Sequence, residues 1–310
     1  MTTALVTGGA GFIGSNLVRT LLDHNLTVRV FDNFSTGSRA NLAGLEVDIT
    51  KGDIREGEQI EAVVKGVDLV FHLAAMVSVE ESMADPVGAY QANLIGSLNV
   101  LEACRSADVA QVVLSSSCAV YGNTSGPVSE SAELQPLSPY AASKAAMERV
   151  AALYMTVYGL STVCLRYFNV YGPRQRPDSD YAAVIPIFIS RMAAGEPVRI
   201  DGDGQQTRDF VFVEDVARAN WLAATVEGAS GVYNVGSGRS QSILDLAEDL
   251  QQIFPQAPAP AHGPARAGDI RYSEANLSRA SALGYHPHTA LAAGLSATVE
   301  WFESHPNTRE

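Results

Sequence analysis

The sequence is short of positive charge and of cysteine, and each shortage removes a class of protein. Lys and Arg number 21 against 34 Asp and Glu, a formal charge of -13. Phosphate-backbone binding depends on clustered Lys and Arg, so nucleic acid is not an expected partner, and the excess acid reads as a solubility feature. An anionic substrate would need local arginines. Cys104, Cys118 and Cys164 are odd in number and widely spaced. That suits neither a disulfide framework nor a zinc site; a reducing, cytoplasmic compartment and no metal are expected. No apolar run approaches the roughly 20 residues that cross a bilayer, because Gly, Asp, Arg and Glu interrupt every candidate. The N-terminus lacks the basic start and apolar stretch of a secretory signal, so neither secretion nor a membrane partner is expected.

What is present is globular. Apolar residues make up 46% and charged residues 18% of 310, enough for a large core in about two domains or one enlarged α/β domain. The first half alternates β-rich runs (4–7, 27–31, 68–72, 111–115, 161–166) with helical periodicity (12–23, 56–64, 89–107, 140–158). Such alternation predicts right-handed crossovers and a Rossmann-type, doubly wound parallel sheet, in the α/β class. After Arg166 the pattern loosens, with a helix near 184–194 and short strands at 198–200 and 210–213. The strand-like run 232–235 points back to the main sheet. A smaller substrate-binding domain (about 169–213 and 239–310) is therefore expected to interleave with a dinucleotide-binding one (1–168 and about 214–238). Residues 255–264, rich in Pro and Ala, read as an irregular connector.

Between the first strand and first helix stands Gly8-x-x-Gly11-x-x-Gly14, with Phe12 and Ile13 opening the helix. Missing side chains there permit a tight turn and let backbone N–H groups approach a pyrophosphate at the helix N-terminus. Asp32 ends the next strand, where a ribose ligand is expected. A carboxylate about 4 Å from a 2′-phosphate would cost on the order of 4 kcal/mol at an effective dielectric near 20, so NAD is favoured over NADP. Arg39 lies nearby in sequence and reads as a solvated loop residue.

Tyr140-Ala141-Ala142-Ser143-Lys144 places Tyr and Lys on one helical face, and Ser115-Ser116-Ser117 closes a β-rich run upstream. These motifs stand in order with Gly52-Asp53-Ile54-Arg55, His72-Leu73-Ala74-Ala75, Asn93-x-x-Gly96, Arg166 to Pro173, Arg208-Asp209-Phe210 and Arg266-Ala267-Gly268-Asp269. Together they resemble the extended short-chain dehydrogenase/reductase family, and its nucleotide-sugar epimerases in particular, over nearly the whole chain. The resemblance implies that Tyr140 is the acid/base, that Lys144 binds the nicotinamide ribose and that Ser117 hydrogen-bonds the reacting oxygen. It also implies NAD contacts from Asn33, Asp53, Ile54, Ala74, Asn93 and Tyr167, and substrate contacts from Asn169, Arg208, Arg266 and Asp269. Helices matching 89–107 and 140–158 pair between subunits in the family, which implies a homodimer.

A free Tyr titrates near 10, so a phenolate at pH 7 costs about 4 kcal/mol. Lys144 and an oxidised nicotinamide, each at roughly 6 Å, would each supply on the order of 3 kcal/mol at an effective dielectric near 20. The chemistry the resemblance implies is transfer of the sugar C4 hydride to NAD and back through a transient 4-keto intermediate. Related dehydratases carry an Asp-Glu pair after the Ser/Thr, and related decarboxylases keep a Glu; this chain has Cys118 and Ala119. A 4-epimerase interconverting UDP-glucose and UDP-galactose is favoured. A dTDP-hexose or UDP-hexuronate 4-epimerase, and a non-catalytic NAD sensor, stay open. Several family epimerases have a lysine where this chain has Val77, though shorter members commonly lack it. Ser273 falls where members restricted to UDP-glucose and UDP-galactose often carry Tyr, which implies room for an N-acetyl group.

Overall fold

The computed structural model describes residues 2–177, 183–265 and 270–305. β1 (Thr3–Thr7) is followed by α1 (Phe12–Asp23), β2 (Thr27–Asp32), β3 (Asp48–Lys51), α2 (Gly57–Val64) and β4 (Leu69–His72). Next come α3 (Val79–Ala84), α4 (Pro86–Tyr90), a π-helical turn (Gln91–Ile95), α5 (Gly96–Ser106), β5 (Gln111–Ser117), α6 (Pro139–Tyr158) and β6 (Thr162–Tyr167). The remainder holds β7 (Asn169–Tyr171), α7 (Val184–Ala193), β8 (Arg199–Asp201), β9 (Thr207–Phe212), α8 (Val213–Thr225) and β10 (Gly231–Val235). It closes with β11 (Ser240–Ser242), α9 (Ile243–Ile253), β12 (Ala261–Gly263), α10 (Ser278–Ala282) and α11 (Leu291–Ser304).

Seven strands form one parallel sheet in the order β10-β6-β5-β4-β1-β2-β3. Its central strands are buried end to end, as a sheet covered on both faces requires. One face packs on α1 and α8, the other on α2, α5 and α6. β7, β9 and β11 make a small mixed sheet, and β8 pairs with β12. A separate core of Tyr171, Phe188, Phe210, Phe212, Leu246, Leu295 and Phe302 surrounds these shorter strands.

Several elements depart from the sequence reading. β3 is an edge strand of Asp-Ile-Thr-Lys, too polar and too short for a β-rich run. The helix expected at 89–107 starts at Pro86, capped by Asp85, and contains the π turn around Asn93. β9 begins at Thr207, because Thr207 and Arg208 pair with Ser242 and Gln241 of β11, a partner no local pattern reveals. It stops at Phe212, where Val213 opens α8 with Glu214 and Asp215 in the first turn. Within the expected connector, Ala261–Gly263 forms β12 by pairing with β8.

The strand order reverses between β1 and β4, which leaves a crevice at their C-terminal ends. Gly8 turns there at φ +71°, and a Cβ on it would lie 2.7 Å from the Ala74 nitrogen. Beneath it a proton chain crosses the sheet. The Ala74 N–H donates to Thr7 Oγ1 and the Ser97 hydroxyl to the Asn93 carbonyl, which leaves His72 Nδ1 to accept from Thr7 and Nε2 to donate to Ser97. Burial, with the Lys144 charge beside it, lowers the His72 pKa to about 3, so the ring is neutral.

An unfolded His titrates near 6.5, so below that pH the unfolded chain binds a proton that native His72 refuses. Stability should fall with a slope approaching about 1.4 kcal/mol per pH unit from this group as pH drops from about 6.5 toward 5. Urea unfolding across that range checks it. His72→Asn should be less stable throughout yet lose this part of the slope, and an unchanged slope would mean that His72 charges inside the fold.

Candidate functional site

The glycine turn and the start of α1 form a cradle. Gly11 caps α1 without a side chain, so the first-turn N–H groups of Phe12 and Ile13 lack a side-chain acceptor. A Cβ on Gly14 would lie 2.1 Å from the Gly8 carbonyl oxygen, which accounts for glycine at that point of the helix. Asp32, 6% exposed at the end of β2, accepts the Ala10 N–H at 2.9 Å and the Phe34 N–H at 2.8 Å. Burial raises its pKa while those two bonds oppose the rise. Its oxygens keep one acceptor position each beside the glycine turn. An anion at uncapped N–H groups and a hydroxyl at Asp32 are what a dinucleotide presents, so the cradle fits one.

Farther along, the expected contacts divide. Asp53 is paired with Arg55 and accepts from Asn33 Nδ2 at 3.1 Å, which holds its pKa near about 2. Ile54 is buried and packs on Gly96, and Ala74 flanks Gly8. Asn93 is fully buried; its amide grips both backbone groups of Met76 and donates to Ser143 Oγ in α6. The Tyr167 side chain is buried, with its hydroxyl given to Asn220 Oδ1 at 2.9 Å. Any contact from Tyr167 to a ligand in the crevice therefore comes from its backbone.

Ser117, Tyr140 and Lys144 converge where β5 meets α6. Ser138 caps α6, Pro139 opens it, and the Tyr140 N–H donates to Ser82 Oγ of α3. Burial pushes the Tyr140 phenol up to about 12; a hydrogen bond with Ser117 opposes the rise and Cys118 adds to it. Lys144 is 3% exposed and donates from Nζ to the Ser115 carbonyl at 2.8 Å. Burial brings its pKa down to about 8, against the pull of Cys164 and Glu148.

Beside the residues expected to hold substrate, Cys118 lies next to Ser273 and within the fields of Asp209 and Arg208. Arg208 donates to the Thr207 and Ile270 carbonyls, and Ser273 is buried at 8% exposed. Asn169 opens β7, half-buried. Arg266 and Asp269 lie outside the described residues. A cavity of about 580 Å³ lies elsewhere, lined by Asn16, Arg19, Arg174, Glu214 and Trp301, and includes none of the converging residues.

Three groups that shape this site are not among the expected site residues. Asp209, wholly buried, accepts from the Ser237 N–H and Oγ and from the Gly238 and Ala275 N–H groups, fastening β9 to the segment that carries Ser273. Glu148 and Arg166 form a buried bidentate pair, Nη2–Oε2 2.6 Å and Nε–Oε1 2.9 Å. The available signal for Glu148 is its spacing: 140, 144 and 148 share one helical face.

The sequence profile of the NAD dependent epimerase/dehydratase family matches residues 4–236. UDP-glucose 4-epimerase of Mycolicibacterium smegmatis is 38% identical over 309 residues, 97% of this chain and 98% of that protein. The structure of UDP-N-acetylglucosamine 4-epimerase from Methanobrevibacter ruminantium, in complex with UDP-N-acetylmuramic acid, aligns with a TM-score of 0.95 at 40% identity, covering 98% of this chain and 99% of that one. That of the Thermus thermophilus UDP-glucose 4-epimerase with NAD aligns at 0.91 and 39%, covering 97% and 99%. A dTDP-glucose 4,6-dehydratase of Streptomyces niveus also matches, 34% identical over 312 residues, 96% of this chain and 92% of that protein.

Burial, with Asp209 reinforcing it, pushes the Cys118 thiol up to about 11, so it is protonated at neutral pH. Alkylation by iodoacetamide near pH 7.5, followed by peptide mass spectrometry, should proceed at Cys118 roughly a hundredfold slower than at a free thiol. Fast labelling would instead mark Cys118 as an activated nucleophile or base.

Proposed function

The chain belongs to the NAD-dependent epimerase/dehydratase family, and within it we propose a UDP-hexose 4-epimerase that interconverts UDP-glucose and UDP-galactose. The observation that carries this reading is a Ser117–Tyr140 pair followed by a neutral thiol and an alanine, Cys118 and Ala119, with no acid-base pair for eliminating water. Among the described residues, the carboxylate felt at Cys118 is Asp209, which is committed to three backbone N–H groups and the Ser237 hydroxyl.

Gly8, Gly11, Gly14 and the Phe12 and Ile13 N–H groups would hold the pyrophosphate of NAD, Asp32 a ribose hydroxyl, and Asn33, Asp53 and Ile54 the adenine. Ala74 and Lys144 would line the nicotinamide end, and Asn93, buried beneath it, would act by holding the Met76 backbone in place. When bound, NAD supplies a hydride acceptor for the sugar C4 and a donor to its opposite face. Tyr140 takes the 4-hydroxyl proton and later returns it, while Ser117 donates a hydrogen bond to the same oxygen. From a pKa of about 12, a phenolate at pH 7 costs roughly 7 kcal/mol. The Lys144 cation and the positive charge of the oxidised cofactor, on the order of 3 kcal/mol each, offset most of it, so proton abstraction awaits a loaded site. Asn169, Arg208, Arg266 and Asp269 would hold the nucleotide and sugar, with the arginines suited to a diphosphate.

The C2 pocket is the finer point. Ser273 and Cys118 are both small and touch, which leaves space beside the sugar, and the Methanobrevibacter relative is a UDP-N-acetylglucosamine 4-epimerase. We infer that N-acetylated hexoses are accepted too.

A homodimer completes the reading. Val87, Ile95, Leu98, Leu153, Val157 and Tyr158 are exposed on α4, the π turn, α5 and α6, an apolar surface suited to a second copy. Light scattering should read twice 32.9 kDa; a single-chain mass would remove the dimer.

The protein should purify with NAD and interconvert C4 epimers of UDP-sugars without added cofactor, read by NMR across UDP-, dTDP- and GDP-sugars. Tyr140→Phe should lose nearly all turnover and keep the bound dinucleotide; retained turnover would call for another base. Ser273→Tyr should lower kcat/KM for UDP-N-acetylglucosamine relative to UDP-glucose at least about fivefold, an overpacking cost of about 1–3 kcal/mol. Unchanged preference, or rejection of the N-acetylated sugar by the wild type, would sink the pocket assignment.

A further inference from the structure

The carboxylate of Glu148 sits under the site and contacts neither the crevice nor the sugar pocket. It is 5% exposed and lies one helical turn beyond Lys144, itself one turn beyond Tyr140. Its oxygens are held by Arg166 of β6 through two bonds and by the Ser116 hydroxyl of β5 at 2.5 Å. Arg166 continues to the Tyr121 hydroxyl at 2.8 Å, which donates to Asn234 Oδ1 of β10. The end of β5 is thus tied to α6 by two hydrogen bonds, from consecutive residues, with the next residue set opposite Tyr140. Ser115 receives Lys144, Ser116 gives to Glu148, and Ser117 meets Tyr140.

A buried ion pair is weak as a source of stability, because removing two charges from water costs about as much as their attraction returns. Its placement here points elsewhere. Around Lys144 stand His72 from β4, Cys164 from β6 and Glu148 one turn on along its own helix, with Arg166 of β6 next to Cys164 and paired with Glu148. His72 is neutral and burial keeps the Cys164 thiol protonated, so the anion facing Lys144 is Glu148.

We propose that Glu148 is a positioning residue for the epimerase reaction: it supplies the negative charge that faces the Lys144 ammonium, and through Ser116 it sets Ser117 opposite Tyr140. The inference rests on Tyr140 and Lys144 being the acid-base pair of that reaction. Without Glu148, Lys144 loses its counter-charge and the Arg166 guanidinium is left unpaired in the same core, and both changes disfavour the cation.

The chain has three lysines, Lys51, Lys65 and Lys144, of which the first two are exposed. Labelling lysine with ¹³C at Cε therefore gives an NMR titration of Lys144 itself, independent of turnover. In Glu148→Gln its midpoint should fall by about one pH unit, with Lys51 and Lys65 unmoved, and the alkaline limb of kcat should fall with it. If this variant does not fold, Glu148→Met with Arg166→Met removes both charges at similar volume, and a fall in the same direction but smaller is expected, because no unpaired guanidinium remains. An unmoved Lys144 midpoint in a folded variant overturns the role of Glu148. A shifted midpoint with an unshifted alkaline limb overturns the role given to Lys144.

Discussion

The buried pair of Glu148 and Arg166 joins the long helix that carries Tyr140 and Lys144 to the two strands beneath it. One carboxylate receives three hydrogen bonds, two from β6 and one from β5. With Lys144 on the Ser115 carbonyl, α6 has little freedom to slide or turn against the sheet. Every distance in the chemical site inherits that constraint, because Ser117 and Tyr140 sit one residue and two turns away from it. Breaking one member would strand a charge in the core, a loss of about 3–5 kcal/mol in comparable pairs, so the arrangement holds as a unit.

The protein's own electrostatics disfavour the reactive form of its site. Burial pushes Tyr140 and Cys118 up and Lys144 down, each away from the charged species. A neutral His72 adds no field of its own, and its tautomer is fixed by Thr7 and Ser97. Positive charge must therefore arrive with the cofactor before the phenol can act as a base. Such a site is inert until loaded, which suits the proposed reaction, whose keto intermediate must not be exposed to water.

Much of the fold was legible because parallel strands covered on both faces carry apolar runs, and β1, β4, β5 and β6 each hold three consecutive apolar residues, while β2 alternates. The glycine turn was legible because its sterics are local: Gly8 needs a positive φ and Gly14 has no space for a Cβ. Elements defined by a distant partner were not. β3 is polar at the sheet edge, β12 exists by pairing with β8, and Asp209 works through donors 28 to 66 residues away. In the site, spacing alone placed Tyr140 and Lys144 on one face, but it could not show that the Tyr167 hydroxyl is given to Asn220, or that Arg55 and Asn33 occupy Asp53.

The central claim is that C4 is oxidised and reduced within one active site, with no loss of its hydrogen to water and no elimination. UDP-glucose deuterated at C4 tests it most directly. Incubated with the protein as purified and followed by NMR and mass spectrometry, it should yield UDP-galactose with the deuterium retained at C4. Exchange of that deuterium with solvent, or a product that has lost a hydroxyl, would contradict the account.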